Sequence, residues 1–181
     1  MHQPTSRRAL THLLAFGSLL GLSLACTTPT PEDDRVQVTR NEVLVQGADI
    51  THRVHVTATR ALLDTGIELD LIAEVTDPAS RACSIDSGPA GEIEMGIEIR
   101  EVNGAVLESD DYRVGACDAG FVVTDAFTLD ACEGGTCGAT FEVRVHRTDT
   151  SGLRWDGPLR VEIGARDGLP HAGELGISWV E

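Results

Sequence analysis

The sequence predicts an all-β protein made of two antiparallel sheets packed as a β-sandwich. Three observations carry this. Apolar and polar residues alternate strictly through much of the chain after Arg35, Gly, Pro and Asx-Gly breakers separate the alternating runs, and nothing beyond residue 25 keeps a helical period except a short turn around Ala61–Asp64. Alternation of period two sends one set of side chains to a core and the other to water, the pattern of antiparallel sheets wet on one side. Two such sheets bury their apolar faces only against each other.

Taken in chain order, residues 1–25 come first and read as a signal peptide. Arg7 and Arg8 precede an apolar block from Ala9 to Leu24, broken only by Thr11, His12 and small residues, and Ala25 precedes Cys26. The block is short for a permanent spanning helix, which needs about 20 predominantly apolar residues. Residues 27–34, Thr-Thr-Pro-Thr-Pro-Glu-Asp-Asp, hold nothing that could form a core and read as a flexible tether. The domain is expected to occupy 35–181.

Leu22-Ser23-Leu24-Ala25-Cys26 resembles the lipobox of bacterial lipoproteins, with the apolar residue one place early. The resemblance implies cleavage before Cys26, a diacylglyceryl group on its thiol, fatty acyl chains such as palmitate at the new N-terminus, and a membrane anchor. In such proteins an acid after the cysteine favours the inner membrane, so Thr27 points to the outer membrane or cell surface. Ser23-x-Ala25 also has the small-x-small form of an ordinary signal peptidase site, which would give a secreted or periplasmic protein cut at the same bond. Ser6-Arg7-Arg8-Ala9-Leu10 looks somewhat like a twin-arginine export signal.

The strand runs follow. Val54, Val56 and Ala58 alternate with Arg53, His55 and Thr57, and Ile67, Leu69, Leu71, Ala73 and Val75 alternate with Glu68, Asp70 and Glu74. Ile93 to Ile99, Phe141 to Val145, Leu159 to Ala165 and Leu175 to Trp179 repeat the pattern. Asp77-Pro78, Ser87-Gly88-Pro89, Asn103-Gly104, Gly134-Gly135, Gly157-Pro158 and Asp167-Gly168-Leu169-Pro170 supply turn chemistry. Asn103-Gly104, between Ile97–Val102 and Ala105–Leu107, is the sharpest hairpin signal.

Five cysteines are present: Cys26, Cys83, Cys117, Cys132 and Cys137. If lipid consumes Cys26, an even four remain in an exported domain, where disulfides persist. Cys132 and Cys137 flank Gly134-Gly135, with strand-like runs Phe121–Leu129 and Ala139–Val145 on either side, so a hairpin disulfide is expected there and a Cys83–Cys117 bridge follows. Catalytic redox pairs usually have two residues between the thiols; here there are four, and both bridges read as structural staples.

Tyr112-Arg113-Val114-Gly115-Ala116-Cys117-Asp118-Ala119-Gly120 looks like the late strand of an immunoglobulin or fibronectin type III domain, where a Tyr begins a strand of small and apolar residues. The resemblance covers nine residues and implies an immunoglobulin/fibronectin-like sandwich architecture. No Trp lies between Cys83 and Cys117, which departs from the immunoglobulin pattern.

Charge excludes some partners. The chain carries a formal −15, every basic residue is Arg, and removing residues 1–25 with Arg7 and Arg8 leaves −17. Such a surface repels phosphate backbones, so nucleic acid is not expected as a partner. The expected partners are the membrane, through the lipid, and an envelope or extracellular protein or glycan.

No Gly-x-Ser-x-Gly elbow, His-Glu-x-x-His pair or phosphate-binding glycine loop occurs, so no enzymatic activity is expected. His52 and His55 fall on opposite faces of a strand and cannot share a metal. Asp64 with Asp70, Asp110-Asp111 and the loop acids Asp149, Asp156 and Asp167 would bind Ca²⁺ only if their loops converged. Trp155, beside Asp156 in a turn-rich stretch, is the candidate for an exposed ligand or sugar contact, with packing over the end of the core as the alternative. An enzyme built from scattered acids with His146 or His171 ranks last, because no residue declares itself a nucleophile. The leading expectation is a lipid-anchored, non-enzymatic interaction or structural module, and the rival is a secreted, Ca²⁺-assisted ligand- or carbohydrate-binding domain.

Overall fold

The alternation read from the sequence is the burial pattern of the folded strands. Val54, Val56, Ala58, Leu71, Ala73, Val75, Ile97, Ile99, Val143, Leu159, Val161 and Ile163 are all completely buried, while their immediate neighbours keep access to solvent wherever one sheet face is wet. Each large apolar side chain so buried contributes about 1.5–3 kcal/mol. The computed structural model describes residues 35–75, 93–114, 120–124, 127–150, 152–171 and 173–181. The segment 1–25, Cys26, the tether, Cys83, Cys117 and the Asp77-Pro78 and Ser87-Gly88-Pro89 breakers lie outside the described residues.

In chain order the elements are β1 (Val36–Leu44), β2 (Asp49–Thr59), α1 (Arg60–Asp64), β3 (Leu69–Val75), β4 (Ile93–Glu101), β5 (Val106–Val114), β6 (Gly120–Thr124), β7 (Ala131–Glu133), β8 (Thr136–Arg147), β9 (Trp155–Ala165) and β10 (Leu175–Val180). One sheet has the order β1-β9-β3-β6 and the other β10-β2-β8-β4-β5, with β7 beside the first residues of β8. Every pairing is antiparallel. The all-β, two-sheet sandwich expected from the sequence is therefore the fold.

Register fixes the two ends. Leu44 faces Trp155 where β1 ends, and Arg147, at the end of β8, donates to the Leu44 carbonyl at 3.3 Å. At the opposite end, Thr59 N donates to Glu174 O at 2.8 Å, Arg60 N to Gly135 O at 2.9 Å and Arg166 N to Glu68 O at 2.8 Å. Helix α1 begins there, and Thr59 caps it by accepting Leu62 N at 3.3 Å. The domain's first described residue, Arg35, also sits at this end, because Val36 pairs with Ile163 near the end of β9.

Several details differ from the sequence reading. Gly157-Pro158, read as a breaker, lies inside β9, with Pro158 opposite Asn41 of β1. Among the described residues the last pair of β9 with β3 is Leu159 with Val75. The arm of the cysteine hairpin is the short β7, because Phe121–Thr124 belong to β6 in the other sheet. Tyr112 does not begin a strand; it lies near the C-terminal end of β5. Asn103-Gly104 makes the expected hairpin, with Gly104 at φ 91° and its N–H bonded to Glu101 O at 2.8 Å.

Candidate functional site

On the outer face of the larger sheet, cross-strand pairing lines up Asp49 of β2, His146 of β8, Gly96 of β4 and Asp111 of β5. Only one member of that row lacks a side chain, and the gap at Gly96 is filled from its neighbours. A Cβ placed on Gly96 would lie 2.7 Å from His146 Nε2 and 2.9 Å from Asp111 Oδ1. Beside these side chains lies a cleft of about 370 Å³ lined by Glu98, Ser109, Asp110, Asp111 and His146. Period-two geometry assembles it, since β4 and β8 turn their odd residues inward and leave Glu98, Arg144 and His146 outside.

The floor beside the cleft is an ion-pair ladder across three strands. Arg144 of β8 holds Asp49 through Nε–Oδ1 at 2.8 Å and Nη2–Oδ2 at 2.5 Å, and reaches Glu98 of β4 with Nη1 at 3.3 Å. Arg100 Nε donates to Glu98 Oε2 at 2.6 Å. The Arg144 bond keeps the Asp49 carboxyl below its ordinary range, and Asp49 in turn holds the Arg144 guanidinium more firmly protonated than usual. Burial pushes Glu98 up, but the bonds from Arg100 and Arg144 outweigh it and hold that carboxyl low. Asp110 and Asp111 have no cationic partner among the described residues, although Asp111 N bonds Asp110 Oδ1 at 2.8 Å. Ser109 N similarly bonds Glu108 Oε1 at 3.3 Å, so two β5 backbone donors are occupied by neighbouring acids.

Ser109, Asp111 and His146 share this cleft, but no hydrogen bond joins the Ser109 hydroxyl to the His146 ring among the described residues. An activated nucleophile needs its base within about 2.6–3.2 Å. His171, the other histidine considered for catalysis, lies in the β9–β10 connection at the α1 end, apart from this cleft.

The remaining sequence candidates are dispersed. Trp155 is not an exposed contact. It is only 3% exposed, in phase with the inward Leu159, Val161 and Ile163, and packs in the core opposite Leu44. Asp156 points outward and pairs with Arg154 at 2.9 Å. Of the calcium candidates, Asp70 is paired with Arg35 and Arg166, Asp149 with Arg147 and Asp167 with His171, at different ends of the sandwich. Among the described residues no group of three or more His, Cys, Asp or Glu is arranged to hold a metal ion. His52 and His55 do fall on opposite faces: His52 Nε2 lies 2.7 Å from Glu42 and its ring meets Trp179 edge-on, while His55 Nδ1 lies 3.1 Å from Thr140 Oγ1.

Cys132 and Cys137 are joined by a disulfide across the β7–β8 hairpin, with Gly134 and Gly135 both at positive φ in the turn. The cleft at Gly96 escaped the sequence reading. Its signal was a glycine at an outward position of an otherwise Glu/Arg-lined strand, Glu94-Met95-Gly96-Ile97-Glu98. Among the described residues no helix is long and apolar enough to cross a membrane. No protein-family model matches the chain, and no curated protein is similar to it.

Proposed function

We propose that this chain is an exported lipoprotein of a bacterial cell envelope, in which lipid on Cys26 tethers a non-enzymatic β-sandwich that serves as an interaction or structural module. The observation that carries the reading is the junction Leu22-Ser23-Leu24-Ala25-Cys26, followed by eight polar, Pro-containing residues and, after Arg35, by the first strand at Val36. An extended tether of that length spans at most about 3.3–3.6 Å per residue, several times the ~8 Å Debye length of physiological salt. An acidic domain can thus stand clear of anionic headgroups while the acyl chains remain inserted. In this arrangement the α1 end is the end nearest the anchor, and the acidic outer face with its Gly96 cleft is offered sideways to an envelope or extracellular partner. Glu108, Asp110 and Asp111, which have no cationic partner among the described residues, favour a cationic partner over nucleic acid.

Membrane fractionation of the exporting cell tests the reading. The wild-type chain is expected in the membrane fraction and Cys26→Ala in the soluble exported fraction. A wild-type chain that is freely soluble, with Cys26 unmodified or bridged to another cysteine, overturns it.

A further inference from the structure

The connection between β9 and β10 is held by one histidine whose two ring nitrogens both face carboxylates. His171 Nδ1 lies 2.9 Å from Glu174 Oε2, and Nε2 lies 3.1 Å from Asp167 Oδ2 and 3.2 Å from Asp167 Oδ1. A neutral imidazole carries a single N–H, so one nitrogen would present its lone pair to a carboxylate oxygen. Only the imidazolium donates on both sides.

The contacts run on from this ring into the neighbouring elements. Glu174 Oε1 accepts from Thr59 Oγ1 at 3.5 Å, Glu174 O accepts from Thr59 N, and Thr59 is the N-cap of α1. Asp167 also accepts Leu169 N at 3.1 Å, and Glu174 N bonds His171 O at 2.9 Å. The other charged groups at this end come from neighbouring elements. Glu68 and Asp70 at the start of β3 are both paired with Arg166, Arg35 ahead of β1 is paired with Asp70, and Arg60 of α1 lies against Cys132 Sγ. The acids on β3 therefore have arginine partners, whereas Asp167 and Glu174 have His171 as their cationic partner among the described residues.

We infer that Asp167, His171 and Glu174 form a proton-operated clasp that fastens the β9–β10 connection to the start of α1, closed while His171 is an imidazolium and released when it loses its proton. The titration directions agree with the geometry. The bonds to Glu174 and Asp167 raise the His171 pKa above the ordinary 6.5, and the Leu169 backbone bond followed by His171 holds the Asp167 carboxyl low. A histidine raised on folding contributes its full stabilisation below about pH 6.5 and loses it as pH rises through the higher folded value. The depressed Asp167 loses its share only on strong acidification, as pH falls through its folded value. The clasp is thus closed below the ordinary 6.5 and opens as pH rises through the higher folded value.

Hydrogen–deuterium exchange by mass spectrometry on the exported protein, following both backbone amides and histidine ring carbons, tests this. The His171 ring is expected to titrate above about 6.5. Protection of peptides covering 166–174 and 59–65 is expected to fall several-fold across that titration, with the core strands unchanged. His171→Gln should show the low-protection state at every pH. Asp167→Asn and Glu174→Gln, which keep the backbone contacts, should each lower the ring midpoint. A His171 midpoint at or below the ordinary value, or wild-type protection of these two segments that does not change across the titration, overturns the inference without reliance on any variant.

Discussion

At the end where β1 turns into β2, the Arg147 side chain is completely buried, donating to Leu44 O and Leu153 O and gripping Asp149 through Nε at 3.0 Å and Nη2 at 2.5 Å. At the other end the His171 side chain, 13% exposed, sits between Asp167 and Glu174. Both cations tie loops to the ends of the sheets, and both use carboxylates two to four residues away in sequence. A guanidinium stays charged at any pH a protein meets, so the Arg147 end is fastened permanently. An imidazolium gives up its proton near neutrality, so the His171 end is fastened conditionally. Burial follows the same division: the permanent charge is fully desolvated and satisfied, whereas the conditional one keeps the solvent access that proton exchange requires.

Breaking the permanent end should have the largest effect. Arg147→Met removes the charged partner of Asp149, which keeps its bond from Glu94 N at 3.0 Å, and one donor from each of two carbonyls, and chemical denaturation should show a loss of about 3–5 kcal/mol that does not vary between pH 6 and 9. Next comes the hairpin staple at the conditional end. Cys132→Ser with Cys137→Ser should cost about 2 kcal/mol, because the disulfide closes only a short loop. Gly96→Ala, one register position from Arg147, should lose about 1 kcal/mol, the clash with the His146 ring being partly offset by the lower chain entropy of alanine. Its plainer signature is a displaced His146 ring in a crystal structure. The smallest effect belongs to His171→Gln, which should leave the global denaturation midpoint nearly unmoved at pH 9 and register at pH 6 mainly as lost local protection.

Legibility in the sequence divides along similar lines. Strands buried on one face announced themselves, as Val54-x-Val56-x-Ala58 and Leu69-x-Leu71-x-Ala73-x-Val75 did, because period two is a local property of the chain. Trp155 was legible in principle, since counting back by twos from Leu159 puts it inside; the Gly157-Pro158 dipeptide concealed that phase. The cleft at Gly96 and the clasp at His171 were not legible. The first needs β2, β8, β4 and β5 aligned, and the second needs the loop folded so that residues 167, 171 and 174 meet on one ring.

The account rests on the address of the protein, and intact-mass measurement of the chain isolated from the exporting cell's membranes tests it most directly. The predicted result is a polypeptide beginning at Cys26 and heavier than its sequence by fatty acyl groups, with that extra mass absent from Cys26→Ala. A membrane-derived or secreted chain whose mass equals its bare sequence, with Cys26 free or disulfide-bonded, would contradict it.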